Sequence, residues 1–229
     1  MIVVIGSLGA RTGTGEGEGA PAPDGLAPGI ARTAAAVGAR VELISKVGDD
    51  PAGDAVLLAL AGAGVGHVAT LRDPARLTPV RAGSDDPTDP TDAADDAGHA
   101  DETLAIDVPL EAPTTETAPA EPQPTLEAAD VALALRYLTN FEVLVAVHPS
   151  AEVLAEAVSA ARWTGARLVV VVEPDADAPA GPPADALVVA AATDDSEGVG
   201  VRIGRYAAAL SRGDDASAAY RELTAAPTA

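Results

Sequence analysis

Residues 25–65, GLAPGIARTAAAVGARVELISKVGDDPAGDAVLLALAGAGV, decide the fold of this 229-residue chain. Residues 30–37 are rich in alanine, the residue with the highest helix propensity. Residues 41–47 are rich in β-branched side chains, which favour a strand. The turn at residues 48–51, Gly-Asp-Asp-Pro, ends that strand, and residues 53–61 return to a helical spacing of apolar side chains. The stretch therefore predicts a helix, a strand, a turn and a second helix.

The same alternation continues along the chain. Further strands are predicted at residues 1–5, 143–147, 168–172 and 186–191. Further helices are predicted at residues 127–138, 151–163, 202–210 and 216–223. Strands that alternate with helices favour a parallel sheet covered by helices. Residues 12–24 and 175–183 are rich in Gly and Pro and predict loops, and Trp163 is expected to pack at a helix end.

The charge of the chain is strongly acidic and unevenly distributed. There are 35 acidic and 14 basic residues, a formal net charge of −21, and this excludes proteins that bind nucleic acid through a basic face. Residues 84–127 contain thirteen acids and no Lys or Arg. Because this composition offers little apolar surface to bury, it predicts a disordered insert. We expect an N-terminal part at residues 1–83, the insert at 84–125, and the rest of the same domain at 126–229.

Several classes of protein are excluded by what the sequence lacks. There is no cysteine, which excludes disulfides and thiolate chemistry, and the three histidines have no zinc-site spacing. No apolar run is long enough for a membrane helix, and the first residues lack the basic start of a signal peptide. We therefore expect a cytoplasmic protein with no membrane partner and no metal site.

The order and spacing of residues 25–65 resemble the first signature of the PfkB/ribokinase-like carbohydrate kinases. The matching features are Gly25, the alanine-rich helix, Val37-Gly38, the turn GDDPAGD at residues 48–54, and Gly64-Val65. The resemblance implies a ribokinase-like three-layer α/β/α fold with a mostly parallel sheet. In this chain, the lid and the elements on the ATP side are expected to be reduced.

The resemblance also places a substrate side. Its residues are Arg11, Gly25, Gly29, Gly48 and Asp49. Two of these depart from the family pattern: Arg11 stands where the family has a sugar-contacting Asp, and Gly29 stands where it has an Asn. Both polar contacts to a polyol substrate are therefore expected to be lost.

Residues 195–201, DSEGVGV, resemble the second family signature, D-T-x-G-A-G-D. By resemblance, the anion- or nucleotide-binding residues are Asp195, Gly198, Val199 and Gly200. The last family Asp is the base that takes the proton from the sugar hydroxyl, and its position here is Val201. No catalytic residue is therefore predicted. ATP with Mg is implied as a cofactor by the resemblance only.

Three functional hypotheses remain. The first is an active kinase that transfers phosphate from ATP to a sugar or nucleoside hydroxyl. The second is a catalytically impaired relative that serves as a ligand-binding or regulatory module for a sugar or nucleotide, and we favour it because of Val201. The third is an NAD-binding Rossmann protein, but glycines 6, 9 and 13 do not have the G-x-G-x-x-G spacing. The sequence does not predict the oligomeric state.

Overall fold

A computed structural model describes residues 1–13, 20–82, 123–174, 185–191 and 198–224. The predicted insert at 84–125 lies outside the described residues except for 123–125, and the predicted loop at 175–183 lies outside them entirely. The strands are β1 (Ile2–Ile5), β2 (Gly9–Thr12), β3 (Ala22–Asp24), β4 (Val41–Gly48), β5 (Val65–Gly66), β6 (Thr70–Asp73), β7 (Val80–Ala82), β8 (Val143–Val147), β9 (Arg167–Val172) and β10 (Leu187–Ala190). The helices are α1 (Leu26–Ala36), α2 (Pro51–Gly62), α3 (Ala128–Tyr137), α4 (Ala151–Thr164), α5 (Val199–Ser211) and α6 (Ala216–Thr224).

The main sheet is parallel throughout its described pairs. Its order is β10-β9-β8-β1-β4-β5, and β6 pairs with the second half of β4. The central strand β1 lies between β4 and β8, with Ile2 opposite both Val41 and Val143. Because all these strands run the same way, their carboxyl ends meet at one edge, where ligands commonly bind in parallel sheets.

Helices cover both faces of this sheet. Ile2 and Val4 face a core shared with α1, α2, α5 and α6, whereas Val3 and Ile5 face a second core shared with α3 and α4. All four side chains are at most 1% exposed. A strand that is buried on both faces is apolar at every position. The apolar run at the start of the sequence therefore predicted β1 correctly. The predicted α/β fold with three layers is confirmed.

A second, three-stranded sheet has the order β3-β2-β7. The strands β2 and β3 pair antiparallel, with Gly9 opposite Asp24, and β2 pairs parallel with β7. The loop predicted over residues 12–24 is therefore wrong at its two ends. Strands of three or four residues carry no periodic signal, and the pairing with β7 joins positions about 70 residues apart in sequence.

Helices α1 and α5 pack with their backbones unusually close. A Cβ atom at Gly204 would lie 2.8 Å from both the carbonyl oxygen of Ile30 and Cβ of Thr33. At Gly200 it would lie 3.2 Å from Leu26 Cδ1. These glycines therefore set the separation of the two helices.

The side chain of Trp163 and the length of the helices are two features of the outer layer. Trp163 is 91% exposed, so the expectation that it packs at the end of its helix is wrong. Within the described ranges, every helix is too short or too polar to cross a lipid bilayer.

Candidate functional site

Three of the predicted substrate-side residues and the position of the family base lie in one cleft. A cavity of about 680 Å³ runs along α1 and is lined by Arg11, Gly25, Gly29 and Val201, with Arg32 beside them. These residues come from β2, from α1 and its start, and from the first turn of α5. The structure thus brings together positions that lie up to 190 residues apart. We call this cavity the α1 cleft.

An ion pair closes one side of the α1 cleft. The Arg11 Nε donates a hydrogen bond to Asp24 Oδ1 at 2.9 Å, and Arg11 Nη2 lies 2.7 Å from the same oxygen. The Arg81 Nε lies 3.8 Å from Asp24 Oδ2. The side chain of Asp24 is only 9% exposed, so both of its oxygens face arginine rather than solvent. Arg11 is therefore partly neutralised by a buried carboxylate.

The lining of the α1 cleft has a positive balance in a very acidic chain. Among the residues that the structure describes, the ionisable side chains of its lining are Arg11, Arg32 and Asp24. Arg32 is exposed and lies on α1, one turn beyond Gly29. The start of a helix adds a partial positive charge, and α5 begins next to Val201 at this cleft. The α1 cleft is therefore suited to an anionic ligand.

The predicted anion-binding residues Gly198, Val199 and Gly200 lie at the start of α5 and are not in the lining of the α1 cleft. Gly198 has φ −81° and ψ −66°, which is right-handed helical backbone, and α5 starts at the next residue. Gly200 lies inside the helix, where its close approach to Leu26 accounts for the glycine. The helix therefore begins three residues earlier than the prediction at residue 202. Asp195 lies outside the described residues.

The described lining of the cleft offers few ligands to a magnesium ion. Among the described residues, no group of three or more His, Cys, Asp or Glu side chains is placed to hold a metal ion. Val201 has no proton to exchange. Asp24 is the one described carboxylate in the lining, and Arg11 and Arg81 occupy its oxygens. We therefore assign no step to a metal in this cleft.

Gly48 and Asp49 do not lie in the α1 cleft. A Cβ atom at Gly48 would lie 2.5 Å from the backbone nitrogen of Thr78, so the backbone itself requires glycine here. The Gly48 amide donates to Thr78 Oγ1 at 2.9 Å. Asp49 Oδ1 forms an ion pair with Arg72 Nη1 at 3.1 Å. The described contacts of these two residues are thus internal to the protein.

The neighbouring Asp50 holds this turn together. It caps the N-terminus of α2, because its Oδ1 accepts a hydrogen bond from the Gly53 amide at 2.7 Å. Its Oδ2 accepts one from the Thr78 amide at 2.6 Å. Burial by itself would raise the pKa of Asp50, but the hydrogen bonds from Gly53, Thr78 and Ala52 outweigh it and leave the pKa below its ordinary value. The family-like turn therefore stabilises the fold.

A second cavity, at the carboxyl edge of the sheet, contains residues that the sequence analysis missed. It measures about 300 Å³, and its polar lining includes Ser7, Lys46, His148 and Ser150. His148 follows β8 directly and has φ 43°, an uncommon value for a residue other than glycine. A histidine placed directly after a buried strand is the signal that could have identified it.

Both ionisable side chains in this second cavity are held by neighbours. The His148 ring has Nδ1 3.4 Å from Glu173 Oε1 and Nε2 2.8 Å from the carbonyl oxygen of Ala191. Lys46 Nζ donates to Asp130 Oδ2 at 2.8 Å, and this hydrogen bond is the main reason that the pKa of Lys46 lies above its ordinary value. The carboxyl edge is thus a fixed polar surface around β1, β4 and β8.

Comparisons with known proteins give a fold. No protein-family model and no curated protein matches the sequence. An E. coli chain described as ribokinase II, in complex with ATP and Mg²⁺, has a TM-score of 0.59 and 14% identity, covering 95% of this chain and 88% of that one. The apo form of ribokinase II from E. coli has a TM-score of 0.51 and 17% identity, covering 77% and 53%. The protein Sa239 has a TM-score of 0.52 and 15% identity, covering 78% and 56%.

This chain covers only part of two of these structures. This chain spans little more than half of Sa239 and of the apo ribokinase II chain. At identities of 14–17% the likeness is one of fold. The parallel sheet with helices on both faces, the signature-like stretch at residues 25–65 and these three structures agree, and the chain has the ribokinase-like fold of the PfkB sugar kinases.

Proposed function

We propose that this protein keeps the sugar-kinase fold as a binding module: it takes a small anionic ligand, a nucleotide or a phosphorylated sugar, into the α1 cleft and does not transfer a phosphoryl group. The observation that carries the proposal is the position of Val201. It lies in the same cleft as Gly25, Gly29 and two arginines. An apolar residue thus stands where the family resemblance requires the base.

The absence of phosphoryl transfer follows from the chemistry of the reaction. A hydroxyl nucleophile must lose its proton to a positioned base, and magnesium must neutralise charge on the phosphates. Val201 accepts no proton, and the oxygens of Asp24 already face Arg11 and Arg81. We therefore expect binding in this cleft without turnover.

An anionic ligand is favoured by charge. Arg11 and Arg32 line the cleft, and the positive end of the α5 dipole lies beside Val201. The net charge of −21 repels anions from most of the molecule, so a local positive site is the place where a phosphate group is stable. One structure with the same fold holds ATP and Mg²⁺.

Arg32→Ala should weaken binding of ATP, ADP or ribose 5-phosphate about tenfold, which corresponds to about 1.4 kcal/mol. The guanidinium supplies a charge-assisted hydrogen bond to a phosphate that alanine cannot replace. Isothermal titration calorimetry at low and high salt measures the loss. Arg40→Ala is the matched control, because Arg40 is also exposed but lies outside the cleft lining. No binding of any of the three ligands to the folded protein would overturn the proposal.

Val201→Asp alone should give no sugar-dependent ATP turnover. The restored carboxylate would still lack the Asp and Asn contacts that Arg11 and Gly29 have replaced. A coupled ADP-release assay with a panel of sugars and nucleosides measures this, with the wild-type protein alongside. Turnover by either protein would show that the fold retains kinase chemistry.

A further inference from the structure

Among the described residues, the largest exposed apolar side chain lies on α4, which covers the opposite face of the sheet from α1. Trp163 is the one tryptophan of the chain, and it stands 91% exposed near the C-terminal end of α4. Exposing an indole to water costs free energy that a packed position would recover. The described residues leave it almost uncovered. A side chain of this kind is typical of the centre of a protein–protein interface.

A groove that can receive such a side chain lies directly beside it. Between α3 and α4 is a cavity of about 410 Å³, with Trp163 as one wall. Its apolar lining includes Leu135, Leu138 and Phe141. Leu138 and Phe141 are 6% and 4% exposed, so they form a firm floor rather than mobile surface. An indole in this groove would pack against its apolar lining.

The charges around the groove suit a second copy of the same chain. Its rim carries Arg136 and Glu156, and Arg162 lies exposed next to Trp163. These three side chains sum to +1 on a protein whose net charge is −21. Across a two-fold axis, Arg162 of one copy can meet Glu156 of the other, so that opposite charges pair in the dimer.

We propose that this face is the interface between two copies of the chain, with Trp163 of each copy inserted into the α3–α4 groove of its partner. Because Trp163 and the groove are adjacent, one two-fold axis makes both contacts at once, as closed dimers require. A stable interface buries on the order of 1,600 Å² in total, and each tryptophan supplies ~150–250 Å². The rest would have to come from exposed residues of α3 and α4 around the groove.

This dimer leaves the proposed binding site open. The groove belongs to the face of the sheet covered by α3 and α4, whereas the α1 cleft lies on the face covered by α1 and α5. Association through Trp163 and ligand binding along α1 are therefore separate properties. Either proposal can fail while the other holds.

The single tryptophan makes the test direct, because all indole fluorescence reports on this one side chain. Over a dilution series of the full chain, we expect the emission maximum to move to shorter wavelength as concentration rises. Sedimentation velocity on the same samples should show the monomer converting to dimer over the same range. Acrylamide quenching should fall by several-fold in parallel, since the buried indole is shielded.

The substitution Ser159→Arg tests whether the groove takes part in the association. Ser159 is exposed and lines the groove, so the new side chain should block insertion while leaving Trp163 as the reporter. Leu58→Arg is the matched control: it adds the same charge at a 76% exposed position on α2, on the other face. We expect Ser159→Arg to stay monomeric with water-exposed emission, and Leu58→Arg to behave as wild type. A wild-type protein that is monomeric at high concentration, or a dimer whose indole stays exposed, overturns the proposal.

Discussion

Gly204→Ala should lower the free energy of unfolding by about 1–3 kcal/mol, as expected for overpacking a tight contact. On propensity alone the change would stabilise α5 by up to ~1 kcal/mol, because alanine is the better helix former. The close contact with α1 determines whether the substitution stabilises or destabilises the protein. The new Cβ would lie 2.8 Å from the carbonyl oxygen of Ile30 and from Cβ of Thr33, and the first of these is backbone. Helices α1 and α5 must therefore move apart.

Gly62→Ala is the matched control for this prediction. Gly62 is also helical, at the end of α2, but no atom lies within 4 Å of its would-be Cβ. Here alanine should raise stability by a few tenths to ~1 kcal/mol. Urea unfolding followed by circular dichroism measures both variants. Equal shifts in the same direction would mean that the α1–α5 contact does not set the spacing of these helices.

Asp50→Ala should cost about 2 kcal/mol or more, since it removes two interactions at once. Loss of the N-cap of α2 typically costs ~1 kcal/mol. In addition, the Thr78 amide loses its carboxylate acceptor in a partly buried site, where an unpaired donor costs about 1–3 kcal/mol. Asp54→Ala is the comparison: Asp54 is in the same turn, but its side chain is 66% exposed and pairs with the exposed Arg72. That change should cost under ~0.5 kcal/mol.

The effect of Asp50→Ala should also depend on pH. The pKa of Asp50 is lower in the folded protein than in the unfolded chain. Its ionised form therefore contributes stability above the ordinary aspartate pKa, and this contribution is lost as the pH falls through the lowered folded pKa. The difference in the free energy of unfolding between wild type and Asp50→Ala should be largest near neutral pH and should decrease at acidic pH. A difference that stays constant down to strongly acidic pH would contradict the assigned role.

The parts of the fold that the sequence predicted are those with a strong local signal. The runs at Ile2–Ile5 and Val143–Val147 are buried on both faces and are apolar at every position. Gly38 and Gly165 follow α1 and α4 with φ 86° and 72°, left-handed backbone that few other residues adopt at low cost. These features depend on local chemistry, so they can be recognised in the sequence without knowledge of tertiary contacts.

The sequence-based predictions of strands and helix bounds are wrong where contacts between distant residues determine the local structure. The strand Ala22–Asp24 exists because β2 pairs with it, and its own three residues, one of them proline, predict a loop. Helix α5 begins at Val199 rather than residue 202, and its first turn lies against α1, with Gly200 close to Leu26. The position of His148 beside Lys46 depends on the strand order, which brings β8 and β4 to either side of β1.

The candidate site was predicted in part. Family spacing selected Arg11, Gly25, Gly29 and Val201, and the structure places all four in the α1 cleft. The same spacing selected Gly48 and Asp49, which lie outside that cleft, and Asp195, which lies outside the described residues. The pairing of Arg11 with Asp24 was not predicted. It required knowing that β2 and β3 run antiparallel with Arg11 opposite Ala22.

The ion pair between Lys46 and Asp130 has a practical consequence for chemical labelling. Lys46 is the one lysine in the chain, and its side chain is only 17% exposed. An acylating reagent attacks the neutral amine, but the bond to Asp130 holds this amine protonated. Acylation of Lys46 therefore requires its contact with Asp130 to open first. The rate of acylation at Lys46 would measure how often this ion pair opens.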